Sequence, residues 1–215
     1  MIEEKYESID LFPTLVLRTN LGRNFSVKEK DAFNKCLIKC EKKSPWQVAI
    51  TAEHFVLNQK GLSKLKGEIL EHVKNYIQRV YHPRRPSDIK PYITQSWMNV
   101  CQQGDIHHEH HHPNSFISGV LYIDTCDQDY IKFNSLRGKI DQIRIDSVKW
   151  EKYNAATWNV MVNNMDLLLF PSTLQHEVPY KKHEGQRISL SFNTFLSGKL
   201  GLDMQEGLNS LELTQ

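Results

Sequence analysis

Residues 104–123 read GDIHHEHHHPNSFISGVLYI. Five histidines and one glutamate fill the six positions from His107 to His112. Turn-forming pairs bracket the cluster, Gly104-Asp105 before it and Pro113-Asn114 after it, which places it at a strand end. The segment 117–124 that follows is rich in apolar and β-branched residues and reads as a strand. In extended chain, side chains alternate between faces. His108, His110 and His112 then point one way, and His107, Glu109 and His111 the other. Only one set can look into a β-structure.

Working outward, FPSTLQHEVPY at 170–180 contains His176, and GQRISLSFN at 185–193 contains Arg187. Either set of neighbouring ligands could join the distant His176 on a metal ion. His107-x-Glu109 with His176 supplies two imidazoles and a carboxylate, which leaves open positions and suits iron(II). His110-x-His112 with His176 supplies three neutral imidazoles, which suit zinc or copper about as well as iron. Arg187, Ser189 and Ser191 share one face of the last strand, and Ile188, Leu190 and Phe192 share the other. A guanidinium turned inward is costly unless paired. A carboxylate ligand would pair it through both nitrogens, with the Ser189 hydroxyl beside it. Glu177 or Glu184 could serve as a protein partner instead.

The chain has 215 residues, fitting a single domain over 1–215. It divides into an N-terminal strand and helical support (1–90), a β core (91–196) and a C-terminal tail (197–215). Ser26 and Glu29 form a capping box for a helix from Val27 to about Lys43, with Phe33, Leu37 and Cys40 on one face. A second helix runs from Gly61 to Tyr81, and His82-Pro83 ends it. Strands are expected at 92–101, 117–124, 129–134, 140–149, 157–163, 166–170, 174–178 and 187–196. Strands with no long helix between them predict a sandwich or jelly roll rather than a parallel α/β sheet.

A net charge of +2 argues against nucleic acid or an anionic membrane as partner. The first residues lack the basic-then-apolar layout of a signal peptide. Cys36, Cys40, Cys101 and Cys126 make no C-x-x-C pair and read as reduced thiols of a cytoplasmic protein.

Together these motifs resemble the Fe(II)/2-oxoglutarate-dependent oxygenases, and in particular a prolyl-hydroxylase-like branch of bacteria and phages. The resemblance rests on Ser96-Trp97-Met98-Asn99, Gly104-Asp105, His110-His111-His112-Pro113, Ser118-Gly119-Val120-Leu121-Tyr122, Phe170-Pro171-Ser172 with His176 and Val178, and the run from Arg187 to Asn193. It implies a mainly β, double-stranded β-helix fold, with the N-terminal helices packed on one sheet. It implies iron(II), 2-oxoglutarate as co-substrate and O2, with ascorbate supportive. Lining up Gly104-Asp105 and Pro113 with the branch favours His110 and His112 beside His176 as ligands. The general superfamily pattern of His-x-Asp or His-x-Glu points to His107 and Glu109. The resemblance also implies that the far carboxylate of 2-oxoglutarate meets Arg187, Ser189 and Tyr122. Trp97, Asn99 and Phe116 are candidates for the substrate pocket, and no catalytic side chain is assigned beyond the metal centre. A peptide or small molecule is favoured as primary substrate. The alternatives are a cupin-like metal enzyme that does not use 2-oxoglutarate, and a binding protein whose histidines are incidental.

Overall fold

The apolar runs around Leu121 and Leu168 are continuous rather than alternating because the sheet they build is covered on both faces. The computed structural model describes residues 7, 9–135, 145–201 and 210–214. In chain order the elements are β1 (Leu17–Asn20), α1 (Val27–Leu37), β2 (Cys40–Glu41), β3 (Ala49–Thr51), α2 (Ser63–Tyr81), β4 (Ile89–Cys101), β5 (His107–His110) and β6 (Ile117–Asp124). They continue with β7 (Tyr130–Asn134), β8 (Thr157–Met161), β9 (Asp166–Pro171), β10 (Gln175–Val178), β11 (Arg187–Leu200) and β12 (Leu211–Leu213). The larger antiparallel sheet has the order β1-β9-β6-β11-β4-β3-β2, with β12 added to β11, and the smaller has the order β5-β10-β7-β8.

Strand alternation sorts the larger sheet into two cores. Met98, Ile117, Leu121, Leu167, Leu169, Leu190 and Phe192 pack against Phe33, Leu65, Ile69 and Val73 of the helices. Val120, Tyr122, Leu168 and Phe170 point the other way, toward Ile131 and Phe133 of the smaller sheet. Each fully buried Leu, Ile or Phe in these layers contributes about 1.5–3 kcal/mol. The polar pocket lies between the sheets, beside the second core.

Local chemistry sets the helix ends. Ser26 Oγ accepts from the Glu29 N–H (3.3 Å), and Glu29 accepts from the Ser26 N–H (2.7 Å), as the capping box requires. Arg23 bridges Glu29 (2.8 Å) and Glu68 (2.7 Å), tying α1 to α2. His82 caps α2 in the left-handed region (φ 42°), and Pro83 cannot continue the helix.

Several expectations change. α1 stops at Leu37, not near Lys43, because Cys40 and Glu41 pair with Thr51 and Ile50. Cys40 therefore leaves the helix face expected to carry it with Phe33 and Leu37; all four cysteines are free thiols. Half of the strand expected at 140–149, residues 140–144, lies outside the described residues, and 145–149 join no strand. β11 extends to Leu200, and Leu211–Leu213 pairs with it, so part of the supposed tail belongs to the larger sheet.

Gly119 has a packing role in β6. A Cβ there would meet Leu169 Cδ2 at 2.8 Å and press on the fully buried ring of Phe192. Gly119→Ala is expected to destabilise the protein by about 1–3 kcal/mol, the usual cost of overpacking a core, read as a lower urea midpoint at unchanged slope.

Candidate metal centre

β10 pairs with β5 so that His176 faces His110 and Val178 faces His107. Three steps along β5 therefore match two along β10, which is a bulge with one extra residue. The bulge overturns the simple alternation expected from sequence. His107 turns to the same side as His110, and their rings stack with centroids 4.3 Å apart. His112 follows beyond the strand end, its ring 5.1 Å from those of His110 and His176.

One nitrogen from each of His110, His112 and His176 lies within 4.8 Å of the others, a group able to hold a metal ion. Two of these rings are locked in a useful tautomer. The Nδ1–H of His110 donates to the His108 carbonyl (2.7 Å), and that of His176 donates to the Leu174 carbonyl (2.9 Å). Nε2 of each is then an unprotonated donor, the arrangement that metal-ligating histidines use. Glu109 is not part of the group: its carboxylate accepts from Asn134 Nδ2 on β7 (2.9 Å). The pairing of His107 with Glu109 around His176 is thus not assembled, although His107 lines the same pocket.

Burial, reinforced by the neighbouring imidazoles, keeps these rings neutral. It pushes His176 down to about 4 from an ordinary 6.5, and His107 and His112 down to about 3. His110 is also lowered, by burial first. Between pH 6.5 and about 4 the unfolded chain binds protons that the native chain refuses, so stability falls as pH falls through this window. The melting temperature of chelator-treated protein should therefore drop steadily from pH 7 to pH 4.5. A flat profile over that range would contradict the buried, neutral state of these rings.

β11 lays its polar face along the same pocket. Arg187, Ser189 and Ser191 line it, together with Tyr122 of β6 and Trp97 and Asn99 of β4. Register puts Ser189 opposite both Asn99 and Tyr122. Arg187 is 5% exposed; its Nη1 donates to the Tyr130 carbonyl (3.0 Å), the guanidinium's only hydrogen bond among the described residues. The protein carboxylate near it is Asp129, 4.0 Å away, rather than Glu177, which pairs with Lys132 (2.7 Å). Burial pushes the Tyr122 phenol above its ordinary range, so it stays a neutral hydroxyl.

Asn99 Oδ1 is a buried acceptor without a partner, while Asn99 Nδ2 donates to Ser191 Oγ (2.9 Å). Turned over, the amide would accept from the Ser191 hydroxyl and present its N–H groups to the pocket. Three neutral imidazoles, a buried guanidinium and several unused hydroxyl and amide groups fit a metal ion together with an acidic small molecule. Trp97 sits 5.6 Å from the His112 ring. Phe116, by contrast, packs on Tyr81 of α2 (5.2 Å) and does not line the pocket.

Sequence reasoning missed a partly buried cluster beside Arg187. Cys126, Asp129 and His183 also offer three ligand atoms within 4.8 Å. Lys181 already supplies the cation there, donating to Asp129 (2.8 Å) and His183 (2.5 Å). Burial would raise the Asp129 carboxyl, but hydrogen bonds from Lys181 and the Cys126 N–H and the charge of Arg187 hold it below its ordinary range. Scattered single residues at 126, 129, 181 and 183 leave no spacing signal that could have revealed the cluster.

A mainly antiparallel β fold, with imidazoles able to hold a metal beside a guanidinium able to hold an acid, defines a class of small-molecule-dependent metalloenzyme. Residues 95–193, which contain nearly all of the pocket lining, match the family described as "Putative 2OG-Fe(II) oxygenase". No match was found among curated proteins. Among solved structures, the chain is similar to a prolyl-4-hydroxylase from Pseudomonas putida (11% identity, 84% of this chain and 92% of that one, TM-score 0.55). It is also similar to the α-ketoglutarate-dependent carbocyclase SnoK of nogalamycin biosynthesis (11% identity, 94% and 89%, TM-score 0.56). A third is HygX from Streptomyces hygroscopicus, solved with nickel, 2-oxoglutarate and hygromycin B (12% identity, 84% and 82%, TM-score 0.51). At such identities the likeness is one of fold.

Proposed function

We propose that His110, His112 and His176 hold the iron, that Arg187, Ser189 and Tyr122 receive the far carboxylate of 2-oxoglutarate, and that the enzyme hydroxylates an unactivated C–H bond of a peptide or small molecule. The fold is then a double-stranded β-helix with its helices on the larger sheet. The observation that carries this is the convergence of the three imidazole nitrogens, within 4.8 Å, in a pocket that Arg187 also lines. Iron(II) and 2-oxoglutarate together supply oxygen activation, with release of succinate and CO2.

The protein's part is placement. The carbonyls of His108 and Leu174 hold two imidazoles with Nε2 free. Arg187 presents a buried, planar guanidinium, so a carboxylate gains a strong, directional partner. Tyr122 and Ser189 add neutral hydroxyls beside it. Phe170, edge-on to His176 and backed by Phe133, gives that side of the pocket an apolar wall that excludes water.

The test is a titration of iron-loaded protein with 2-oxoglutarate in the absence of oxygen, followed by admission of oxygen and measurement of succinate. Saturable binding and succinate release support the proposal. Bound metal with no affinity for 2-oxoglutarate would overturn it in favour of a cupin-like metal enzyme.

A further inference from the structure

We infer that the turn at 171–174 positions the metal centre, and that a chain of side-chain hydrogen bonds through Ser115 and the buried Ser172, Ser118 and Asn193 sets that turn; this rests on the metal site proposed above. Two of the three imidazole residues hang on this turn. The Ser172 carbonyl accepts the backbone N–H of His112 (2.9 Å), and the Leu174 carbonyl accepts the ring Nδ1–H of His176 (2.9 Å). The turn closes on itself through Leu174 N–H to the Pro171 carbonyl (2.9 Å). A shift of the turn would therefore move the His112 backbone and the His176 ring together.

What holds the turn sideways is polar, in a place where apolar residues would pack. Ser118 and Ser172 are each 1% exposed and Asn193 is 7% exposed. Ser172 Oγ lies 2.7 Å from Ser115 Oγ and 2.8 Å from Ser118 Oγ, and Ser118 Oγ lies 2.8 Å from Asn193 Oδ1. Ser118 is paired with Phe170 of β9 on one side and Asn193 of β11 on the other, so the chain crosses the larger sheet to reach the turn. β11 changes register between Asn193 and Thr194 at this point, as a bulge that re-aims a side chain would. Burying such groups is unfavourable unless each is bonded, and once bonded they select one geometry over near alternatives. The three motifs around Ser118, Ser172 and Asn193, far apart in sequence, meet in this one network.

The test compares Ser172→Ala and Ser118→Ala with Ser96→Ala. Ser96 is equally buried, but its hydroxyl accepts from Leu57 N–H (2.9 Å), away from the turn, so it controls for loss of a structural hydrogen bond. Co(II) is the probe, read by its affinity and by its ligand-field absorption, with thermal unfolding of the metal-free proteins alongside. Ser172→Ala is expected to weaken Co(II) binding by about 10–100-fold, as loss of groups that orient metal ligands does, and to change the absorption spectrum. Ser118→Ala, one bond further out and the safer variant should Ser172→Ala not fold, shifts both in the same direction by less. Ser96→Ala should lower the melting temperature without altering either Co(II) reading. Wild-type Co(II) affinity and spectrum in folded Ser172→Ala or Ser118→Ala would overturn the positioning role. Absence of Co(II) binding by the wild type would instead overturn the metal site itself, and this inference with it.

Discussion

Replacing His176 by alanine is expected to abolish metal binding and 2-oxoglutarate turnover. Two of the three imidazoles come from one short segment, His110 and His112, and only His176 reaches the site from another strand. Without it the ion keeps two protein ligands, and the loss should exceed the roughly 10–100-fold that groups supporting the ligands cost. The fold should survive. His176 is neutral and crowded by the rings of Phe170 (4.8 Å) and His110 (4.3 Å), so its removal leaves a small cavity rather than an unpaired charge. Metal content after dialysis and succinate yield both report the outcome. Glu109→Gln is the matched control, because Glu109 faces Asn134 and should leave metal affinity unchanged. A His176→Ala protein that retains tight metal, or a Glu109→Gln protein that loses it, would reverse the ligand assignment.

Arg187→Ala should spare the metal and remove the co-substrate. Truncating one member of a buried, hydrogen-bonded charge pair costs about 2–5 kcal/mol, or about 30- to several-thousand-fold in Kd. The apo fold tolerates the loss, since Asp129 keeps its ion pair with Lys181 at 2.8 Å. Arg187→Lys separates charge from shape. A lysine retains the positive charge but loses the planar fork, so 2-oxoglutarate affinity should rank wild type above Lys above Ala. Calorimetry on iron-loaded protein without oxygen gives all three constants. Equal affinities across the series would mean that the carboxylate sits elsewhere in the pocket.

Much of the fold and of this site is legible in the sequence. The cap at Ser26, the long helix ending at Tyr81 and the paired apolar runs follow from local propensity and period. The alternation of Arg187, Ser189 and Ser191 against Ile188, Leu190 and Phe192 placed the guanidinium on the polar side of β11, where it is found. Phe116 was misplaced because its side chain is claimed by Tyr81, some way back along the sequence, and no local pattern announces that contact.

The histidines mark the divide. Residue type and order determined that imidazoles, an inward Arg and strands of β-branched residues lie in this sequence, because those choices are written position by position. Which histidines converge was left to the partner strand. The bulge that turns His107 and His110 to one side arises from pairing with β10, and register is a property of two segments, not one. The same holds for the Asp129–Lys181 pair and for the chain from Ser115 to Asn193. Each group there is ordinary in isolation and acquires its role only when strands distant in sequence are brought within hydrogen-bonding reach.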